Sequence, residues 1–221
     1  MKKSPYKAFT SPIYRMLNVI GAILFMIVGF LSNVYIGSFG AVMITGTVPV
    51  ILVFLDYFAF AGTSTRKQRS MNFMKSSFKG LELFKSAVKT DIYLKEICLL
   101  FAFFGYILAE IIRFSEPQFL FDAFLLVLVY LPLSEITMRL TLIIARRMAV
   151  SILTQMAVCY ICSMIMTILM VIYSFLMPEQ LGDYYLTLII ISIIMEAISI
   201  LCAVLLYKDC IKGYESSFID S

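Results

Sequence analysis

The chain has 221 residues, 62% of them hydrophobic and only 14% charged, with a net charge of +4 and a mean hydropathy of +0.96. Soluble domains carry about 25% charged residues, so this composition excludes an ordinary water-soluble domain and reads as an integral membrane protein, stabilised by helix packing in lipid. The sequence contains no histidine, which removes Ser-His hydrolysis, most zinc catalysis and haem ligation by imidazole together.

The expected fold is an all-α integral membrane protein, a single polytopic domain over residues 1–221 with six transmembrane helices. The six apolar runs are 16–36, 39–61, 97–112, 123–145, 149–177 and 185–207, each near the roughly 20 residues that a hydrocarbon layer of about 30 Å requires. An N-terminal arm with Lys2, Lys3, Lys7 and Arg15 interleaves Tyr6, Phe9 and Tyr14, a lead-in with aromatics at headgroup depth. The first run is too long for a cleavable leader and passes straight into the second through an uncharged turn, 35–40. The second run holds Thr45, Thr47 and Pro49; a kink is expected there, the threonines satisfying the carbonyl that proline frees.

The long polar connection, 63–96, follows Asp56 and Tyr57 and carries eight of the eighteen basic residues against Glu82, Asp91 and Glu96. Met71, Met74, Phe78, Leu81, Phe84, Val88 and Ile92 recur in it at steps of three or four, one face of an amphipathic helix. Gly80 is the point at which that helix would break. Such a basic amphipathic helix lies on anionic lipid or docks in a partner's groove.

Span three is short, and Glu110 and Arg113 at its end have the spacing of an i, i+3 ion pair. Span four holds Pro132, Glu135 and Arg139, the last two at the i, i+4 spacing of an intrahelical ion pair. Span six holds Glu196 near its middle with no partner in its own helix. Charges at mid-span are costly, so Glu135, Arg139 and Glu196 either pin the bundle together or line a translocation path. Sixteen basic residues fall on one side of the six spans and only Arg113 on the other. That asymmetry places both termini and the long connection in the cytoplasm of a cell-membrane protein.

Cys98, Cys159, Cys162, Cys202 and Cys210 lie in spans or on the cytoplasmic side, where disulfides are not expected; no metal site is expected either. Glu135-Ile-Thr-Met-Arg139 has an E-x-x-x-R spacing found in intramembrane peptidases that also need histidines. No G-x-x-x-x-G-K-[ST] loop is present, so the chain does not hydrolyse ATP itself and is not expected to be an enzyme. Nothing in it suggests a nucleic-acid partner.

With its aromatic and basic arm, Asp56-Tyr57 leaving span two, Gly62, the stretch Met74-Lys75-Ser76-Ser77-Phe78-Lys79-Gly80-Leu81-Glu82-Leu83-Phe84, and Asp91 before span three, the chain resembles the membrane permease subunits of ABC-2-type transporters. The resemblance implies that the 63–96 connection holds a coupling helix that docks on a separate ABC ATPase. Met71, Met74, Lys75, Phe78, Lys79 and Phe84 would be the contacts. It also implies that ATP and Mg belong to that partner subunit, with no cofactor in this chain, and that two such permeases form a homodimer or a heterodimer in the membrane lipid. The expected activity is export of a peptide, antibiotic or other amphiphilic compound. The 178–184 connection between spans five and six is short where many relatives carry a larger re-entrant segment. Two other classes fit the same composition: the substrate-specific membrane subunit of an uptake complex, and a non-transporting membrane or immunity protein.

Overall fold

The computed structural model describes residues 12–56, 79–113, 117–148, 153–154, 156–162, 164, 168 and 184–216. Among them the chain is all-helical, with five long helices: α1 (Pro12–Ile36), α2 (Phe39–Asp56), α3 (Gly80–Ile112), α4 (Pro117–Met148) and α5 (Tyr185–Ser216). All five are long and apolar enough to cross a membrane, the helix set of a multi-pass membrane protein. Residues 156–162 are helical as well; the remainder of the predicted fifth span lies mostly outside the described residues.

The largest departure from expectation is α3. It runs unbroken for 33 residues, about 50 Å at 1.5 Å per residue, so the region from Gly80 to Glu96 is helix continuous with span three. Gly80 is its first residue rather than a break within a helix, and no proline interrupts the helix between there and Ile112. The buried positions Phe84, Val88, Asp91, Lys95, Cys98, Ala102, Gly105 and Ala109 recur at alternating steps of four and three, the 3.5 period of a helix packed against neighbours along its whole length. At its far end the backbone N–H of Arg113 bonds to the Ala109 carbonyl at 3.1 Å. The Arg113 guanidinium, paired with Glu110 in the sequence reading, donates to the Val34 carbonyl of α1.

In α2, proline is tolerated without ending the helix, which continues from Phe39 through Pro49 to Asp56. The threonines do not serve the carbonyl freed by Pro49, that of Thr45. Thr45 Oγ1 donates to Ala41 O at 2.9 Å and Thr47 Oγ1 to Met43 O at 2.7 Å, each one turn back along its own helix.

Side-chain pairings fix the helix directions. Asn33 of α1 donates to the Tyr106 carbonyl of α3 at 2.8 Å, while Tyr14 meets Asp91 at 3.0 Å, so α1 and α3 run parallel. Ser134 of α4 meets Thr45 of α2 at 3.1 Å and Arg146 meets Asp56; these two are parallel as well. Ser192 of α5 donates to the Leu128 carbonyl of α4 at 2.8 Å and Arg147 to Asp209 at 3.0 Å. Helices α4 and α5 therefore also run parallel, and Met148 and Tyr185 lie at opposite ends of the bundle. One end of the bundle is closed by the α1–α2 hairpin, the hairpin end. The other, the base, is where α2 stops, α3 starts, and α4 and α5 finish.

Within this bundle α2 is the most enclosed helix, and α1 and α5 are the most exposed. The α1–α3 pair is held by backbone contact. A Cβ on Gly29 would sit 1.8 Å from the Ala102 carbonyl oxygen, and one on Gly105 would sit 2.0 Å from that of Met26. Helices that gain little from excluding water inside lipid associate through such close approach of small residues.

Candidate functional site

At the base, four ionised side chains from three helices are packed out of contact with solvent. Asp56 ends α2, Asp91 and Lys95 face inward one turn apart on α3, and Arg146 comes from the last turns of α4. Lys95 is 1% exposed and Asp56 and Asp91 are 0%. A charge at that depth is sustained only when it is paired and hydrogen-bonded, and each is. Lys95 Nζ donates to Asp56 Oδ1 at 2.9 Å and also to Asp91 Oδ2. Arg146 grips Asp56 in the two-pronged guanidinium–carboxylate geometry, Nε to Oδ2 at 2.9 Å and Nη2 to Oδ1 at 2.7 Å. Its Nη2 lies 3.4 Å from Asp91 Oδ2.

Neutral groups from the remaining two helices complete the shell. Tyr14 of α1 donates its hydroxyl to Asp91 Oδ1 at 3.0 Å and accepts from Lys95 Nζ at 3.1 Å. Arg146 Nη1 donates to Cys210 Sγ of α5 at 2.8 Å. All five helices thus converge on two acids and two bases whose charges sum to zero. Just outside, Phe84 of α3 stacks on Tyr214 of α5 with ring centroids 4.6 Å apart, and Lys89 Nζ lies 5.3 Å from the Tyr207 ring centre.

A second network adjoins the first through the neighbouring residues Lys95 and Glu96. Arg139 of α4 pairs with Glu135 at 3.0 Å within its own helix and with Glu96 of α3. Ser199 of α5 accepts from Arg139 and donates to Glu135 Oε2 at 2.6 Å. One guanidinium here serves two carboxyl groups. This network is the less enclosed of the two, with the Glu96 side chain 23% exposed.

Set against the sequence reading, Glu135 and Arg139 form the anticipated i, i+4 pair, enlarged by Glu96 and Ser199. Glu196 does not join it: the carboxylate lies on the exposed side of α5 between exposed Ile193 and Ile200. It makes no ion pair with a described residue, and the residue of α5 that reaches Arg139 is Ser199. Met71, Met74, Lys75 and Phe78, expected to contact an ATPase, lie outside the described residues. Lys79 is exposed at the start of α3. Phe84 is 1% exposed; packed against Tyr214, its ring fills this chain's own core and is not presented to a partner.

The zero-net cluster does not emerge from the sequence reading, because the polar connection 63–96 takes in both Asp91 and Lys95. The signal was present. Asp91 and Lys95 stand four apart, with opposite signs, in the same 3.5-period stripe as Phe84, Val88, Cys98 and Ala102. Opposite charges in step with an apolar stripe mark a buried pair. Compared with known protein families, with curated proteins and with solved structures, the chain matches none.

Proposed function

We propose that the chain is the membrane permease subunit of an ABC-2-type exporter, driven by a separate ATPase that docks on the basic connection between α2 and α3. The observation that carries this reading is the anchoring of that connection. Asp56, the last residue of α2, and Lys95, four turns into α3, are joined at 2.9 Å in the buried cluster, and Arg146 of α4 pairs with Asp56 of α2 and with Asp91 of α3. A force applied to the 57–79 segment would act on α2 and α3 where they meet at the base, and α3 would carry it the length of the bundle.

Six crossings with both termini in the cytoplasm belong to the same reading. The parallel course of α4 and α5 supports this reading, in which one further crossing between Met148 and Tyr185 gives six in all. The sixteen-to-one distribution of basic residues then places the base on the cytoplasmic side. The Glu96–Glu135–Arg139 network and the exposed Glu196 would face the path of an amphiphilic substrate, at an interface completed by a second permease subunit.

The reading is tested by purifying the full chain from its native membrane with Met74→Asp and Phe78→Asp variants alongside. A P-loop ATPase should accompany the wild type and be lost from both variants, which still insert. If the variants retain it at the same stoichiometry, the segment is not its docking site.

A further inference from the structure

We propose that the described helices form two bodies, α1 with α3 and α2 with α4 and α5, which part at the base and pivot at the hairpin end. This is a property of the chain alone and does not rest on the transport reading.

Charge placement makes the separation feasible. If the bundle is divided along this line, the base cluster falls into two neutral pairs: Asp91 with Lys95 stays within α3, and Asp56 with Arg146 stays between α2 and α4. In the adjoining network Arg139 keeps Glu135 on its own helix and Ser199 of α5. Among the described residues, the ion pairs that cross the line include Lys95–Asp56, Arg146–Asp91 and Glu96–Arg139. Breaking the first two leaves no net charge in a low-dielectric setting, which is the condition that otherwise makes separating buried ion pairs prohibitive. The third releases Glu96, the most exposed member of the network. Aromatic contacts of Phe84 with Tyr214 and of Lys89 with Tyr207 also cross at the base, between side chains near helix ends.

Each body has its own cement, and the pivot has a location. In the first body the Gly29–Ala102 and Gly105–Met26 approaches put backbone against backbone. In the second, Arg139, Arg146, Arg147 and Ser192 fasten α4 to α5, and Ser134 fastens α4 to α2. Across the dividing line a close backbone contact lies at the hairpin end, where a Cβ on Gly40 of α2 would lie 2.6 Å from the Ser32 carbonyl of α1. There too the Tyr106 hydroxyl donates to the Gly37 carbonyl at 3.2 Å. The line holds a close backbone contact at one end and, at the other, exchangeable ion pairs beside the Phe84–Tyr214 stack, the layout of a hinge.

The test places spin labels, carried by a genetically encoded amino acid so that the native cysteines stay, on the full chain in lipid nanodiscs. Three pairs of exposed sites are compared: Tyr93 with Ile144 across the base, Ile111 with Phe121 across the hairpin end, and Met16 with Tyr93 within one body. Glu96→Gln removes a crossing contact and leaves the pairs inside each body. A longer-distance population at 93–144 should grow about tenfold, as loss of one charge-assisted contact shifts a two-state equilibrium, with 111–121 and 16–93 unchanged. Glu96→Asp, which keeps the charge on a shorter arm, should give intermediate growth and serves if the glutamine variant fails to insert. Equal broadening of all three distributions, or no change at 93–144 in either variant, overturns the proposal.

Discussion

Replacing Lys95 by Met probes the base cluster directly, because the side chain keeps its length and loses only its charge and donors. The ammonium is 1% exposed and serves Asp56, Asp91 and the Tyr14 hydroxyl. Without it Arg146 alone faces both carboxylates, at 2.7 and 3.4 Å, and one buried negative charge is uncompensated. Breaking a buried pair from one side costs 3–5 kcal/mol, so Lys95→Met should lower stability by about 4 kcal/mol and Asp91→Asn by about 3 kcal/mol. The double variant removes both ends of the α3 pair and leaves Asp56 held two-pronged by Arg146. It should cost about 4 kcal/mol rather than the roughly 7 that addition gives, a coupling of about 3 kcal/mol. Reversible unfolding in mixed micelles, followed by circular dichroism, measures all three variants. Additivity within about 0.5 kcal/mol would refute the reasoning, since the charges would then be acting independently.

Other consequences can be measured in the same system. Gly29→Ala should destabilise by about 1–3 kcal/mol through overpacking against the Ala102 carbonyl. Gly21→Ala, whose nearest contact is Phe25 at 3.6 Å, should be neutral or stabilising by up to about 1 kcal/mol; similar effects for the two would mean that α1 and α3 are not in backbone contact. Phe84→Ala should lower the stability of the isolated chain by about 3–5 kcal/mol, in the absence of any partner, and an unchanged melting profile would return Phe84 to the docking surface. Arg139→Gln should reduce the yield of folded protein more than Glu135→Gln does, because it strands two carboxylates instead of releasing one shared guanidinium; the opposite order would contradict the network. For orientation, a membrane-impermeant thiol reagent should label a cysteine introduced at Gln180 and spare one at Gln68, on a background without native cysteines. Labelling at Gln68 in intact cells would reverse the proposed sidedness.

Five of the six apolar runs were legible because a span declares itself by length and hydropathy, and the Glu135–Arg139 pair because it is local to one helix. What failed to emerge was long-range. Glu96 is 43 positions from Arg139 and Asp56 is 90 from Arg146, and no period within one helix connects them. The same gap misplaced α3. A charge count over 63–96 averages Lys79, Lys85 and Lys89, which face outward or lie partly exposed, with Asp91 and Lys95, which face inward; only reading the charges in phase with the apolar stripe separates the two sets. Ser199 escaped for a different reason: hydroxyls are ordinary in such helices, and only proximity to Arg139 distinguishes this one.

The proposed export requires that a separate ATPase work through this chain. Once such an ATPase has been identified by co-purification, its ATP hydrolysis in proteoliposomes, alone and with the full chain, measures that most directly. Hydrolysis should change several-fold when the chain is present and return to the rate of the ATPase alone with Met74→Asp and Phe78→Asp. The same rate with and without the wild-type chain would contradict the permease reading.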